Sequence, residues 1–153
     1  MDETFRAYRL TKAQYAPGLD GEGARIAPGR WNPRGRAMVY CAASPSLAVL
    51  ETFVHLPPVM RRADAFPPCV MVTVEIDVAQ ARFATPPDGL DLAGRRNWGA
   101  DWLDGQDGVA VLLPSHVLPL ENNVLLNPLH PDIATAVRLV STEPFAYDPR
   151  MGS

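Results

Sequence analysis

The sequence predicts a single α+β domain built largely on antiparallel sheet. Three observations carry that expectation. The chain has 153 residues, 47% of them apolar and 20% charged, which suits one domain with one core. Strand-like segments outnumber helical ones and do not alternate regularly with them, unlike a doubly wound parallel sheet. Sixteen prolines restrict long helices and favour short elements joined by loops. No internal repeat is visible.

The elements follow in order. Residues 5–10 read as a first strand. Residues 11–29, TKAQYAPGLDGEGARIAPG, have no period and many turn formers, so they read as one long loop. A loop of that length in a compact domain is functional or mobile. Residues 37–42 (AMVYCA) form a short apolar strand. Ser44 is placed as an N-cap with Pro45 at the first helical position. The helix runs through Leu47, Leu50 and Val54 and ends before Pro57-Pro58. At about 100° per residue, Leu47, Leu50, Phe53 and Val54 share one face. Glu51 falls on the edge of that face, with His55 one turn above it.

Residues 69–78 (CVMVTVEIDV) alternate cleanly. Val70, Val72, Val74, Ile76 and Val78 point one way and Thr73, Glu75 and Asp77 the other, the pattern of a half-buried strand. Trp98 and Trp102 sit at helical spacing within residues 88–105. Residues 108–113 (GVAVLL) read as a fully buried strand that ends at Pro114-Ser115. Residues 123–126 read as a further strand broken by Asn127-Pro128. A helical turn over 131–136 and a last strand over 136–140 follow. Residues 1–150 read as one domain, and 151–153 as a tail that is a frayed end or a cloning remnant.

Composition narrows the function. The formal net charge is −3, which argues against sequence-independent DNA binding. No apolar run reaches the length of a membrane span. MDETFRAYRL has no apolar signal core, so a cytoplasmic protein is expected. Cys41 and Cys69 lie in apolar strands and read as buried free thiols. Lys12 is the only lysine, and Arg25, Arg30, Arg34 and Arg36 fall within twelve residues. Arginine suits bidentate phosphate recognition, although a GC-rich genome is the plainer cause of the bias, and what matters is where the arginines cluster.

Each candidate site has a plainer alternative. The run Gly18-x-x-Gly21-x-Gly23 partly matches a dinucleotide fingerprint, but Ile26 takes the third glycine position and no helix is expected after it. It reads as a mobile glycine loop or an ordinary surface loop. His55, His116 and His130 are scattered and no Cys-x-x-Cys exists, so no metal site is expected. Ser115 lies outside a Gly-x-Ser-x-Gly elbow and reads as a strand-end serine. GRWNPRGR is stronger. Gly29 lets the backbone approach a ligand, Arg30 can fork onto phosphate, and Trp31 offers a flat face. A solvated arginine loop with a buried tryptophan fits as well. Glu51, if buried, needs an arginine, His55 or a ligand as partner. A lone carboxylate aimed into a cleft also suits cleavage of a ribosyl bond, whose transition state is oxocarbenium-like. An ion-paired or solvated helix charge is the alternative.

These residues also resemble a known family. Tyr8-Arg9, GEGAR…GRWNPRGRAMVYCAASPSLAVLETFVHL over 21–56, VLLPSHVLPLENNVLLNPLHPD over 111–132 and FAYDPR over 145–150 are similar to the motifs of the RES domain, in the family's order. RES proteins are toxins of RES–Xre toxin–antitoxin pairs in bacteria. The resemblance implies an ADP-ribosyltransferase-like fold, with two antiparallel sheets around an NAD⁺ cleft and a few short helices. It implies NAD⁺ as substrate, cleavage of the nicotinamide–ribose bond, and no metal. Arg9 and Arg30 would grip the pyrophosphate or ribose. Trp31 would shape the ligand loop, and Tyr40 would stack on nicotinamide or its ribose. Glu51 would be the catalytic carboxylate, His55 would orient it, and Ser115 would hydrogen-bond the ligand.

The favoured acceptor is a protein side chain, with phosphate (NAD⁺ phosphorylase) or water (glycohydrolase) as alternatives. An Xre-family antitoxin blocking the active site and a toxin dimer are the implied partners. A non-enzymatic nucleotide-binding module is the rival of another class.

Overall fold

A computed structural model describes residues 1–153. Seven strands form one sheet, in the order β4-β5-β6-β2-β1-β3-β7. They are β1 (Thr4–Lys12), β2 (Val39–Ala42), β3 (Cys69–Asp77), β4 (Ala81–Phe83), β5 (Ala110–Pro114), β6 (Asn122–Leu126) and β7 (Val137–Phe145). The helices are α1 (Glu22–Ile26), α2 (Pro45–His55), α3 (Leu92–Gly105) and α4 (Ile133–Ala136). All pairings are antiparallel except β4–β5, which is parallel.

The expected pair of sheets is replaced by one hydrogen-bonded ladder that is nearly severed in the middle. β1 and β3 share nine register pairs, from Thr4↔Asp77 to Lys12↔Cys69. β1 and β2 share one, Tyr8↔Ala42. On either side of that pair the strands part, which leaves two wings, β4-β5-β6-β2 and β1-β3-β7. One core cluster takes residues from both wings: Ala7, Val72, Val74 and Ile76 from one, Val39, Cys41, Leu112, Val124 and Leu126 from the other. Burying apolar faces of both wings in one core bends the sheet around it.

Two further clusters cover the wings separately. Leu47 and Ala48 of α2 pack with Leu10, Cys69 and Tyr147. Leu103 of α3 packs with Trp31, Met38, Val111, Leu113 and Leu125. The gap between these clusters lies over the β1–β2 junction, and it becomes the cleft described below.

Several expectations are corrected. Residues 11–29 hold a short 3₁₀ turn at Ala13–Tyr15 and the five-residue helix α1. A helix therefore does start at the glycine run. Gly21 caps it, but it is one turn long and belongs to no β-α-β unit. Val78 is 40% exposed because the chain leaves β3 for a 3₁₀ turn at Val78–Gln80. Val54 is 37% exposed at the outer side of α2, off the face that buries Leu47. The last strand runs to Phe145 rather than stopping at 140. Residues 151–153 are not frayed: Pro149–Met151 is a 3₁₀ turn, and the Ser153 N–H donates to Arg61 O at 3.1 Å. Tyr147 stacks on Phe66 at 4.8 Å and sits 6.0 Å from Phe53, tying this end of the chain to α2. Both cysteines are buried free thiols. No helix is long and apolar enough to cross a membrane.

Candidate active site

The cleft has a volume of about 390 Å³ and is lined by Tyr8, Arg9, Arg30, Trp31, Tyr40, Glu51 and His55, among others. All the expected site residues except Ser115 thus meet in one place. Strand divergence explains why Arg9 reaches it. With β2 no longer paired alongside, the Arg9 side chain takes up the junction, and its Nη1 donates to the Tyr40 carbonyl at 3.3 Å.

Glu51 is set by α2. The Ser44 hydroxyl accepts the Leu47 N–H at 3.1 Å, and Pro45 opens the helix. That start fixes the helical phase, so burial of Leu47 and Ala48 carries Glu51 to the flank, where its side chain is 17% exposed. Its carboxylate takes its hydrogen bond from neither an arginine nor the His55 ring. The Ser115 Oγ donates to Glu51 Oε1 at 2.6 Å. Ser115 follows directly on β5, is 1% exposed, and its Oγ also accepts the N–H groups of Val117 (3.1 Å) and Leu118 (3.0 Å). One donor and two lone pairs are thereby used up. The hydroxyl expected to bind a ligand is spent on holding the carboxylate instead. His55 places its Nδ1 at 2.6 Å from the Glu51 main-chain oxygen and at 3.9 Å from Oε2. It contacts the backbone of Glu51 more closely than the carboxylate.

The four clustered arginines separate by partner. Arg25 pairs with Glu22 at 2.6 Å, and Arg36 with Asp104 at 2.7 Å. Arg34 Nη1 donates to Ile26 O at 2.8 Å. Arg30 alone has no hydrogen bond or ion pair, and it faces the cleft. Arg9 is similarly underused: its Nε is buried without a partner. Burial pulls the Arg9 guanidinium below its ordinary value, against the pull of Cys41 and Asp20. Two arginines with free donors thus line one cleft, and guanidinium donors suit an oxyanion.

Tyr40 and Asn32 build the loop between Arg30 and β2. The Tyr40 hydroxyl donates to Asn32 Oδ1 at 2.6 Å and accepts the Trp31 N–H at 3.0 Å. Burial pushes the Tyr40 phenol up to about 12, opposed by the Trp31 N–H and by the charge of Arg96. Asn32 is 0% exposed. Its Oδ1 also accepts the Gly29 N–H at 2.9 Å, and its Nδ2 donates to the carbonyls of Ala24 (2.7 Å) and Arg36 (3.0 Å). Gly29 is a glycine because of Tyr40, not a ligand. A Cβ there would lie 2.7 Å from the phenol oxygen. Trp31 is 3% exposed, edge-on to Trp98 at 5.4 Å, so it is a wall of the cleft as well as core.

Sequence reasoning passed over Asn32 and Arg96. Arg96 of α3 donates from Nε to Gly29 O at 2.9 Å and from Nη2 to Pro28 O at 3.2 Å, which clamps the loop. The only signal for Asn32 was its place beside Arg30 and Trp31. Arg96, 67 residues on from Gly29, gave none. His130 is structural: its Nδ1 accepts the Asp132 N–H at 3.0 Å and Nε2 meets Gln106 O at 3.1 Å. No group of three or more His, Cys, Asp or Glu side chains is placed to hold a metal ion.

Comparison with known proteins places this arrangement. Residues 6–148 match the RES domain. The chain is 41% identical to the Prs ADP-ribosylating toxin of Sphingobium sp. (strain YBL2), over 89% of this chain and 88% of that protein. It is 33% identical to Toxin Res of Yersinia enterocolitica, over 94% of this chain and 97% of that one. A chain in the crystal structure of the M. tuberculosis MbcT–MbcA toxin–antitoxin complex superposes with a TM-score of 0.73 at 19% identity, covering 94% of this chain and 85% of that one. At that identity the likeness is one of fold. With most of its length matched in sequence, the chain belongs to the RES domain family.

Proposed function

We propose that this protein is the toxin of a toxin–antitoxin system and that it consumes NAD⁺ by cleaving the nicotinamide–ribose bond. One observation carries the reading: a carboxylate with no arginine or lysine partner, pinned by Ser115, shares a cleft with two arginines that have donors to spare. A dinucleotide supplies what both halves lack. Its pyrophosphate would occupy Arg9 and Arg30, and its ribosyl carbon would lie at Glu51. Tyr40 presents its ring to the cleft while its hydroxyl stays bound to the loop, so its part is contact with the nicotinamide ribose rather than proton transfer.

In this mechanism the C1″–nitrogen bond of NAD⁺ breaks and its electron pair leaves with neutral nicotinamide. The positive charge that develops on the ribose is stabilised by the fixed Glu51 carboxylate. A preset charge in a partly closed site costs no reorganisation at that moment. An acceptor then bonds to C1″. The ADP-ribosylating activity in the name of the 41%-identical relative supports a protein acceptor here. The toxin–antitoxin title of the structural neighbour supports an antitoxin partner. We assign it to the Xre family and place it over the cleft.

The test is incubation of the purified protein with labelled NAD⁺. Nicotinamide release is expected in the wild type. It should fall by about 10³-fold or more in Glu51→Gln, which keeps the side-chain volume and the Ser115 contact. Label on protein, ADP-ribose-1″-phosphate or free ADP-ribose identifies the acceptor. NAD⁺ binding without nicotinamide release would make the protein a nucleotide-binding module. Full release by a folded Glu51→Gln protein would remove Glu51 from the chemistry.

A further inference from the structure

Behind Trp31 lies a second cavity, of about 480 Å³, lined by Asp88, Arg95, Ser115, His116 and the segment 85–90. Trp31 lines both cavities, and the Ser115–Glu51 hydrogen bond crosses the wall between them. The two spaces are therefore one hydrogen bond apart at Glu51.

The second cavity holds an unanswered cation. Arg95 Nη1 donates to Leu90 O at 3.1 Å, which holds the 85–90 segment, but its Nε is buried with no partner. Arg95 makes no ion pair, although Asp88 lines the same cavity. His116 has no hydrogen bond, and its ring stands edge-on to Trp31 at 5.9 Å. Burial holds the His116 imidazole below its ordinary value, helped by the Arg30 and Arg95 guanidiniums and opposed by Glu51. The groups that bear on this space are thus two guanidiniums, the His116 imidazole, and the carboxylates of Asp88 and Glu51. The half-buried Arg95 guanidinium thus keeps a buried Nε–H with no partner, and a fork of N–H donors fits an oxyanion best.

We propose that the second cavity binds a phosphate-type oxyanion, with Arg95 as its principal donor, and that the acceptor reaches the reaction centre at Glu51 from this side. The acceptor role rests on the reading of the neighbouring cleft as the NAD⁺ site; the oxyanion site does not. For hydrogen phosphate the step balances without a redox partner. A phosphate oxygen bonds to C1″, the C1″–nitrogen bond breaks, nicotinamide takes the electron pair, and the phosphate keeps its proton. A phosphate carried by a larger acceptor would instead anchor that acceptor while its own nucleophile attacks.

The experiment titrates inorganic phosphate into the full-length protein, followed by calorimetry and by the imidazole NMR signals of His116. Phosphate should bind and raise the His116 pKa. Arg95→Gln keeps a donor for the Leu90 carbonyl and should weaken phosphate binding at least about tenfold. Arg95→Lys should recover part of it. Asp88→Asn, which removes the cavity's own carboxylate, should strengthen binding. NAD⁺ should not displace phosphate. Phosphate-dependent formation of ADP-ribose-1″-phosphate identifies free phosphate as the acceptor. Phosphate that binds, slows transfer and is not consumed identifies a phosphate borne by a larger acceptor. Binding that is absent, indifferent to Arg95→Gln, or competitive with NAD⁺ overturns the proposal. A protein that binds phosphate through Arg95 yet leaves NAD⁺ intact keeps the oxyanion site, and overturns both its acceptor role and the NAD⁺ reading.

Discussion

Replacing Ser115 by alanine tests the link on which the site depends. The hydroxyl donates to Glu51 Oε1 at 2.6 Å, and a hydrogen bond to a charged group contributes about 1.5–3 kcal/mol. The same oxygen accepts two main-chain N–H groups, at 3.1 and 3.0 Å. Those amides are half-buried and water can reach them in part, so their loss adds about 1 kcal/mol in total. The expected cost to stability is therefore about 3 kcal/mol. For a chain of this length that lowers Tm by roughly 6–12 °C.

The effect on chemistry is separable. Without its donor the Glu51 side chain regains rotamer freedom and points at the ribosyl carbon only part of the time. If the whole hydrogen-bond energy goes into positioning, nicotinamide release falls by about 10–100-fold. NAD⁺ affinity changes little, because Arg9 and Arg30 are untouched. The measurements are calorimetric unfolding and nicotinamide release at saturating NAD⁺. A double-mutant cycle with Glu51→Ala, which removes the acceptor, completes them, and should return a coupling of about 1.5–3 kcal/mol in stability. A Ser115→Ala protein with Tm within a degree of wild type and unchanged turnover would refute the reasoning, since the 2.6 Å contact would then carry neither stability nor position.

Two further predictions concern the scaffold. Gly99→Ala in α3 gains about 1 kcal/mol by helix propensity alone. Its new Cβ, however, would overlap the Trp31 carbonyl oxygen, a main-chain atom that cannot yield without moving the arginine loop. Net destabilisation of about 3 kcal/mol or more, with weakened NAD⁺ binding, is expected from thermal unfolding and titration; stabilisation would show that α3 does not press on the loop. Alkaline pH should also unfold the protein early. Burial pushes Tyr40 and Tyr147 up to about 12 from 10.0, and Cys41 up to about 12 from 9.0. The unfolded chain therefore releases these protons first. Stability is fully present below about pH 9 and falls as pH rises toward 12. Denaturant midpoints at pH 8, 10 and 11 check the sign, and a flat profile would contradict it.

How much of the fold was legible varied with what each signal depends on. α2 was read correctly from Ser44 to His55 because cap, proline and breaker all lie within the segment. β3 was read from alternation that its two neighbouring strands enforce. β7 was cut short at 140 because STEPF contains polar residues and Pro144. Its position at the edge of the sheet explains both. One side is free of a ladder, so a missing N–H and exposed side chains are tolerated. β4 has three residues and exists through its parallel pairing with β5, which no local pattern announces. The single sheet was hidden for the same reason. Whether two wings share a ladder depends on one pair, Tyr8↔Ala42.

The site divides along the same line. That Glu51 sits on the flank of an apolar helix follows from three residues of local sequence, and so does the suspicion that it must be partnered. That the partner is Ser115 could not follow, because the two are 64 residues apart and meet only when β5 ends beside α2. The arginine cluster made the same point in reverse. Spacing treated Arg25, Arg30, Arg34 and Arg36 alike, and folding distinguished them by giving three of them partners. Arg25 and Arg36 have carboxylates and Arg34 a carbonyl, which leaves Arg30 with its donors unspent at the mouth of the cleft. Charge in a sequence therefore locates candidates, and the accounting of partners selects among them. By that accounting Arg9, Arg30 and Arg95 keep donors unspent, and all three line the two cavities that adjoin at the Ser115–Glu51 contact.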